Sequence, residues 1–429
     1  MKLRGKNIVL TATLQTLVTL CFGQVDTTFM KNRIGFSEYL SLVGKQNLSY
    51  TAEKFNVNIV EASIEMAKVF PDPAIYFGLF DNGDERMKMG YGASSALGYT
   101  IELGRKRRAR IDFAKSQTEL SRALLQNYFR NLRADATIGY LSAIKQKLFM
   151  EVLISSHTSM KGLARADSMR FKLGSFTEID ARQSKLEAGS MLNSLYREEG
   201  NWKATLLQLG MMLGLQKMDT LYLPAGDFSK FDRDFDLDAL MIEAQNNRAD
   251  LQAALRNKEV SQDALRLAKA NRMIDLGLSF GASNTSYVIN KIAPTPSFSA
   301  ISAGITVPLK FSNKYMGQIK ASEFSILQAD VLYKQIELQI QTEVSTAFYN
   351  YQAAKKQVQQ FNMGLLNEAK QVFEGKVYSY QRGETSLLEV LNAQRTYNET
   401  QLNYHQALYD YAAGLVELER ATGIWDINF

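Results

Sequence analysis

The chain has 429 residues, 46% hydrophobic and 22% charged, with 50 basic against 44 acidic residues and a net charge of +6. So small a surplus, spread along the chain, argues against a nucleic-acid-binding face, and the composition is that of a folded protein rather than a disordered one. With one cysteine, Cys21, and two histidines, His157 and His405, set 248 residues apart, a disulfide or a thiolate metal site is excluded from the mature chain. No phosphate-binding glycine loop or HExxH motif is present, so no catalytic residue, no cofactor and no resident metal are expected.

Residues 1–23 read as a secretory signal. Lys2, Arg4 and Lys6 precede an apolar stretch over 8–22, and Gly23 is a small residue at its end. The apolar part is too short to span a membrane as a helix. An exported chain with no other apolar segment of that length is periplasmic, secreted, or an outer-membrane β-barrel.

The pattern predicts a helix over 36–70, ended by Pro71-Asp72-Pro73. The periodicity then switches to two. Ile75, Phe77 and Leu79 alternate with Tyr76 and Gly78, and a polar loop over 81–85 follows. Leu97, Tyr99, Ile101 and Leu103 then oppose Gly98, Thr100 and Glu102. The basic run Arg105, Lys106, Arg107, Arg108 and Arg110 comes next. Such residues oppose the macrodipole at a helix start, so something else favours them there, either a phospholipid headgroup layer or plain solvation.

A heptad position then repeats through Phe113, Leu120, Asn127, Ala134, Leu141 and Leu148, which predicts a helix of roughly 90–100 Å over 109–169. Gly174 ends it, and Ser175 with Glu178 reads as a capping box for a return helix to Gly214. Residues 216–235 form a connector containing Pro224 and Gly226. Asp236 is expected to cap a helix reaching 272.

Strands recur. Ile274, Leu276, Leu278, Phe280 and Ala282 alternate with small or polar residues, as do Ile301, Ala303, Ile305, Val307 and Leu309. About ten residues per run, apolar on one face and small or polar on the other, is the pattern of transmembrane β-barrel strands. It assigns Ile101, Leu276, Leu278, Ile305 and Val307 to lipid. Beyond Pro308 no proline occurs. One heptad position reads Ile319, Ile326, Tyr333, Ile340, Ala347, Ala354, Phe361, and a second reads Phe324, Val331, Leu338. This predicts one helix over 313–381, a glycine stop at Gly383, a capping box of Ser386 and Glu389, and a last helix to Gly423.

The order helix, two strands, long helix, return helix therefore occurs twice, in 24–215 and 236–429. Gly174 and Gly383 lie 209 residues apart, as do Gly214 and Gly423, which points to an internal duplication. Four strands cannot close in lipid; three chains supply twelve, within the known range of barrels. The fold expected is α+β: a trimeric twelve-stranded barrel continued by an antiparallel helical coiled-coil barrel. The points farthest from the membrane are Leu173, Gly174 and Ser175 and Arg382, Gly383 and Glu384, which suits them to dock a partner. Asp180 and Glu389 each sit six residues after a tip glycine. Three of each around an axis would select cations, although acids also favour first helical turns on their own account.

These features resemble TolC-like outer-membrane efflux proteins over nearly the whole mature chain. Residues 174–180 look like the family's first tip. Tyr380, Gly383 through Glu389, and Asn392-Ala393-Gln394 look like its second. Pro71-Asp72-Pro73, residues 99–107, residues 387–398 and residues 417–421 are similar to its heavy-metal branch. The resemblance implies a passive homotrimeric exit duct in outer-membrane lipid, working with a periplasmic adaptor and a proton-driven inner-membrane RND pump, with metal cations as cargo. It also implies that Tyr380, with Asp180 and Glu389, takes part in the gate that ties the coils in the closed state. Two departures bear on that gate. Thr385 stands where some members carry an arginine, and Asn392 where some carry a second acid. Organic solutes or secreted polypeptides are the alternative cargo, since the duct does not select chemically. A structural or adhesive coiled-coil rod is the alternative class, and such a rod has no use for the four alternating strands.

Overall fold

The computed structural model describes residues 30–81, 90–215, 219–228, 231–289, 291–310 and 313–426. The signal segment and loop residues 82–85 lie outside them. In chain order the elements are β1 (Met30–Ile34), α1 (Phe36–Gln46), α2 (Leu48–Lys68), β2 (Ala74–Asp81), β3 (Tyr91–Ile101), α3 (Lys106–Lys172) and α4 (Glu178–Met212). There follow β4 (Thr220–Pro224), α5 (Leu237–Asn247), α6 (Ala249–Asn271), β5 (Leu276–Thr285) and β6 (Phe298–Thr306). The chain closes with α7 (Lys314–Gln360), a π-turn (Phe361–Leu365), α8 (Leu366–Gln381) and α9 (Leu387–Thr422).

Four strands form one antiparallel sheet in the order β2-β3-β5-β6, so both its outer strands keep an unpaired edge, while β1 and β4 pair in parallel as a separate two-stranded sheet. The register of the four-stranded sheet brings most of the large apolar residues onto one face, with Tyr76, Phe80 and Phe298 on the other. Ile75 pairs with Leu97, Leu97 with Phe280, Tyr99 with Leu278, Ile101 with Leu276, and Leu278 with Ile305. Ile301 is 91% and Ile305 69% exposed, an arrangement a water-facing sheet would avoid. The opposite face carries Gly78, Ser94, Gly98, Thr100, Gly277, Ser279, Gly281, Ser302 and Gly304. Val307 is a correction: it lies one residue beyond β6. Pro308 has no N–H with which to extend the ladder.

Two hairpins carry the length. At 67 residues α3 is roughly 100 Å long, with α4 returning along it, and α7–α8 with α9 forms the second. Among the described residues no helix is long and apolar enough to cross a membrane. The heptad residues Ile340, Ala347 and Ala354 are buried, whereas Phe324, Val331 and Leu338 are exposed. The helix expected over 313–381 is interrupted by the π-turn, where Gly364 has φ 117°.

Two expected single helices are each broken at a corner. Asn47 separates α1 from α2; its Oδ1 accepts from the Tyr50 N–H at 2.9 Å and its Nδ2 donates to the Met212 carbonyl at 3.0 Å. Arg248 separates α5 from α6; its Nη1 donates to the Ala421 carbonyl at 2.9 Å, and Asp250 and Glu343 hold its charge. Each corner thus caps the end of a return helix. Each also meets a left-handed glycine, Gly214 at Gln46 and Gly423 at Asn247. The connector is strapped to the hairpins by two buried tyrosines. Tyr140 Oη lies 2.9 Å from the Ile34 carbonyl and accepts from the Ala225 N–H. Tyr351 Oη lies 2.9 Å from the Phe231 carbonyl and accepts from the Arg233 N–H.

The basic run finds partners inside the chain. Buried Lys106 pairs with Asp275 at 2.5 Å, and Arg110 pairs with Glu102. Arg107 donates to the Lys68 carbonyl and stacks over Phe70. Neither a headgroup layer nor solvation is needed for these three.

Near the chain end Glu419 is buried 3.5 Å from Arg233. Desolvation outweighs that contact and pushes its carboxyl up to about 9. Between its unfolded value near 4.3 and about 9, the folded state keeps a proton the unfolded state loses, so this group makes stability fall as pH rises. Glu419→Gln is expected to flatten that slope in melting curves taken across the window. An unchanged slope would assign it elsewhere.

Candidate channel entrance at the hairpin tips

Both tips are built by helix-stop hydrogen bonds around a left-handed glycine. Gly174, at φ 73°, donates to the Phe171 carbonyl, and Ser175 donates back to Arg170 at 3.0 Å. Gly383, at φ 80°, donates to Tyr380, and Glu384 donates to Ser379 at 2.9 Å. These are Schellman-type closures, which need positive φ. Leu173 is 82% exposed, and Ile179 and Leu388 nearby are also open, so each tip presents apolar side chains to solvent. Arg382 pairs with Glu384 at 3.1 Å.

The capping boxes differ from the sequence reading. The first sits two residues later: Thr177 Oγ1 accepts from the Asp180 N–H at 3.1 Å and donates to the Asp180 carboxylate at 2.6 Å. Ser175 instead donates to the Arg170 carbonyl. At the second tip Ser386 occupies the cap without a side-chain bond. Glu389 takes Lys376 as its ion-pair partner and accepts from Thr385 Oγ1 at 2.8 Å. Lys376, then Thr385, hold the Glu389 carboxyl below its usual range. Asp180 and Glu389 are therefore both engaged locally.

Tyr380 is buried against Phe176, and its hydroxyl donates to Asp167 Oδ1 at 3.0 Å, 213 residues away on α3. Burial first, then the Asp167 carboxylate, push the phenol up, so it remains the donor. Asp167 is fully buried and its Oδ2 has no protein partner. Burial raises its carboxyl, against the Ser184 and Tyr380 hydrogen bonds that lower it. Arg170 adds a second link by donating to the Gln381 carbonyl. So Tyr380 does bond an acid on the other hairpin, but that acid is Asp167, and Asp180 is occupied by its cap. Asp167 had a signal in the sequence: it follows Met160 and Ala164 at seam spacing, an acid in an apolar row. Among the described residues no three His, Cys, Asp or Glu side chains come together as a metal-holding group.

A sheet with one apolar face, open at both edges and carrying two such hairpins, is a fold shared with solved outer-membrane channels. The outer-membrane channel CmeC of Campylobacter jejuni shares the fold at a TM-score of 0.75 and 15% identity, covering 90% of this chain and 85% of that one. CusC does so at 0.73 and 14%, covering 91% and 92%. Residues 240–424 match the family described as Outer membrane efflux protein. The cobalt-zinc-cadmium resistance protein CzcC of Cupriavidus metallidurans is 21% identical over 393 residues, 90% of this chain and 88% of CzcC. Outer membrane protein TolC of Vibrio cholerae is 20% identical over 348 residues, 79% and 76% of the two chains. Residues 240–424 thus match the outer-membrane efflux protein family, and the chain as a whole has the fold of solved outer-membrane channels.

Proposed function

We propose that three copies of this chain form a passive exit duct, the outer-membrane member of a tripartite efflux system whose cargo is heavy-metal cations. The observation that carries the reading is the four-stranded sheet with two free edges and an exposed apolar face. Open edges are not tolerated in hydrocarbon, and three such sheets joined edge to edge make twelve strands. The exposed row Phe324, Val331 and Leu338 supplies the seam by which neighbouring hairpins close a cylinder. The matched order of elements, corners and left-handed glycines in the two halves supports an internal two-fold repeat.

In this reading Ile101, Leu276, Leu278 and Ile305 face lipid, with Val307 at the membrane edge. Leu173, Gly174, Ser175, Arg382, Gly383 and Glu384 dock a periplasmic adaptor, which links the duct to an RND pump. Asp180, Tyr380 and Glu389 form the gate, with Asp167 added as the partner of Tyr380. Native mass spectrometry of protein extracted from outer membranes should give three chains, and planar bilayers should give channels. A monomer without conductance would sink the proposal. Metal sensitivity in a deletion strain supports the cation cargo; sensitivity only to organic compounds moves it to the alternative.

Ile305→Arg places a charge on the apolar face, where mid-bilayer cost is roughly 2–4 kcal/mol. The trimer fraction in heat-modifiability gels should drop. Insertion at wild-type levels would show that this face does not meet lipid.

A further inference from the structure

Away from the tips, a cavity of about 510 Å³ lies beneath the connector, where both hairpins meet it. Its walls come from five places in the chain: Arg33 on β1, Ile144, Lys147 and Leu148 on α3, Trp202 on α4, the segment from Leu223 to Phe228, and His405 and Leu408 on α9. The volume falls in the range of small-molecule sites, and the lining is mostly apolar with a few polar groups, as in such sites. Two of those groups are anomalous. Trp202 Nε1 and His405 Nδ1 are both buried, and neither has a hydrogen-bond partner in the protein. A buried indole N–H normally finds an acceptor. At the cavity also stand Arg33, which is exposed, Lys147, whose ion pair with Glu151 is long at 3.7 Å, and one acid, Asp227, which is engaged with a partner of its own, so two cations face one acid.

We propose that this cavity binds a small organic carboxylate with an apolar body. The body lies against Ile144, Leu148, Phe228 and Leu408. An oxygen accepts from the Trp202 N–H, and Arg33 and Lys147 favour the negative charge. Desolvation lowers the pKa of His405 and so favours its neutral form, which leaves one ring nitrogen to donate and one to accept. Because α3, α4 and α9 all contribute walls, an occupant bridges the first hairpin to the second.

The test uses the full-length protein in lipid nanodiscs with 4-phenylbutyrate as probe, read by titration calorimetry. Saturable binding is expected. Trp202→Phe keeps the ring, removes the donor, and should weaken binding about fivefold, the ratio of one hydrogen bond. Ile144→Trp, or Leu408→Trp from the opposite wall, should abolish binding in trimers that still form. The neutral analogue 4-phenylbutanol should bind less tightly. Trp202 and Trp425 are the chain's two tryptophans, so Trp425→Phe leaves Trp202 as the sole emitter, and its fluorescence should shift with the same affinity. No saturable heat at millimolar probe overturns the site. Heat undiminished in the filled variants reports bilayer partition and overturns it equally. Equal binding of the alcohol overturns the assignment of a carboxylate.

Discussion

Gly214→Val is expected to destabilise the protein by at least about 3–4 kcal/mol, the upper range for a single substitution. Gly214 has φ 71°, and a Cβ there would stand 2.3 Å from the Gln46 carbonyl oxygen. That atom is backbone and cannot swing aside. The left-handed conformation alone costs a residue with a side chain roughly 1–2 kcal/mol. Moving Gln46 would also pull Asn47 from the Met212 carbonyl it caps, a bond worth about 1 kcal/mol. Gly174→Val isolates the first of these effects. It has a similar φ of 73°, but a Cβ there meets nothing within 4 Å. Denaturant unfolding of the two variants beside wild type measures the difference. Equal losses would mean that the α1–α2 corner gives way freely.

Tyr380→Phe is expected to raise the resting conductance of reconstituted channels. It deletes the donor to Asp167 Oδ1 and leaves a fully buried carboxyl short of a partner, at a cost of about 1–3 kcal/mol in each chain. Asp167→Asn keeps an acceptor oxygen at the same place and should stay closed. Because burial raises the Asp167 carboxyl, the folded state takes up its proton before the unfolded state does as pH falls. Stability from this group therefore grows through that window and is lost as pH rises again. Mild acidification should hold the hairpins together rather than release them. Single-channel recording across pH decides: wild-type conductance in Tyr380→Phe at every pH would remove the tie from the gate.

The strands were legible because their code is local. Alternation at 276–285 and 298–306 sets the face directly, and the observed register pairs Leu278, Phe280 and Ala282 with Ile305, Ala303 and Ile301. The tips were legible for the same reason, since one glycine states the turn. The corners at Asn47 and Arg248 were not, because their partners Met212 and Ala421 lie 165 and 173 residues away. Apolar periodicity runs across both breaks without a gap. The first cap was misplaced because Ser175 and Thr177 both suit the role. The choice fell to the tip closure, which uses Ser175 to bond Arg170. Asp167 was missed because an acid in an apolar row reads as noise until Tyr380 is found opposite it.

The π-turn sets the angular phase of everything beyond it. Before it, the inward residues of α7 run Ile340, Val344, Ala347, Tyr351, Ala354, Val358. An unbroken helix would next turn Leu365, Glu368 and Val372 inward, yet all three are exposed. Leu366, Ala369 and Phe373 point in instead, and the advance of one residue ends on buried Tyr380. At 47, 5 and 16 residues, α7, the π-turn and α8 together run one residue longer than the 67-residue α3. The π-turn holds the surplus as an unspent count, like the offset of a vernier scale. Lose one residue there and the helix straightens with Tyr380 still facing Asp167. Lose one between Leu366 and Ser379 with the π-turn kept, and the latch rotates by about 100° away from its partner.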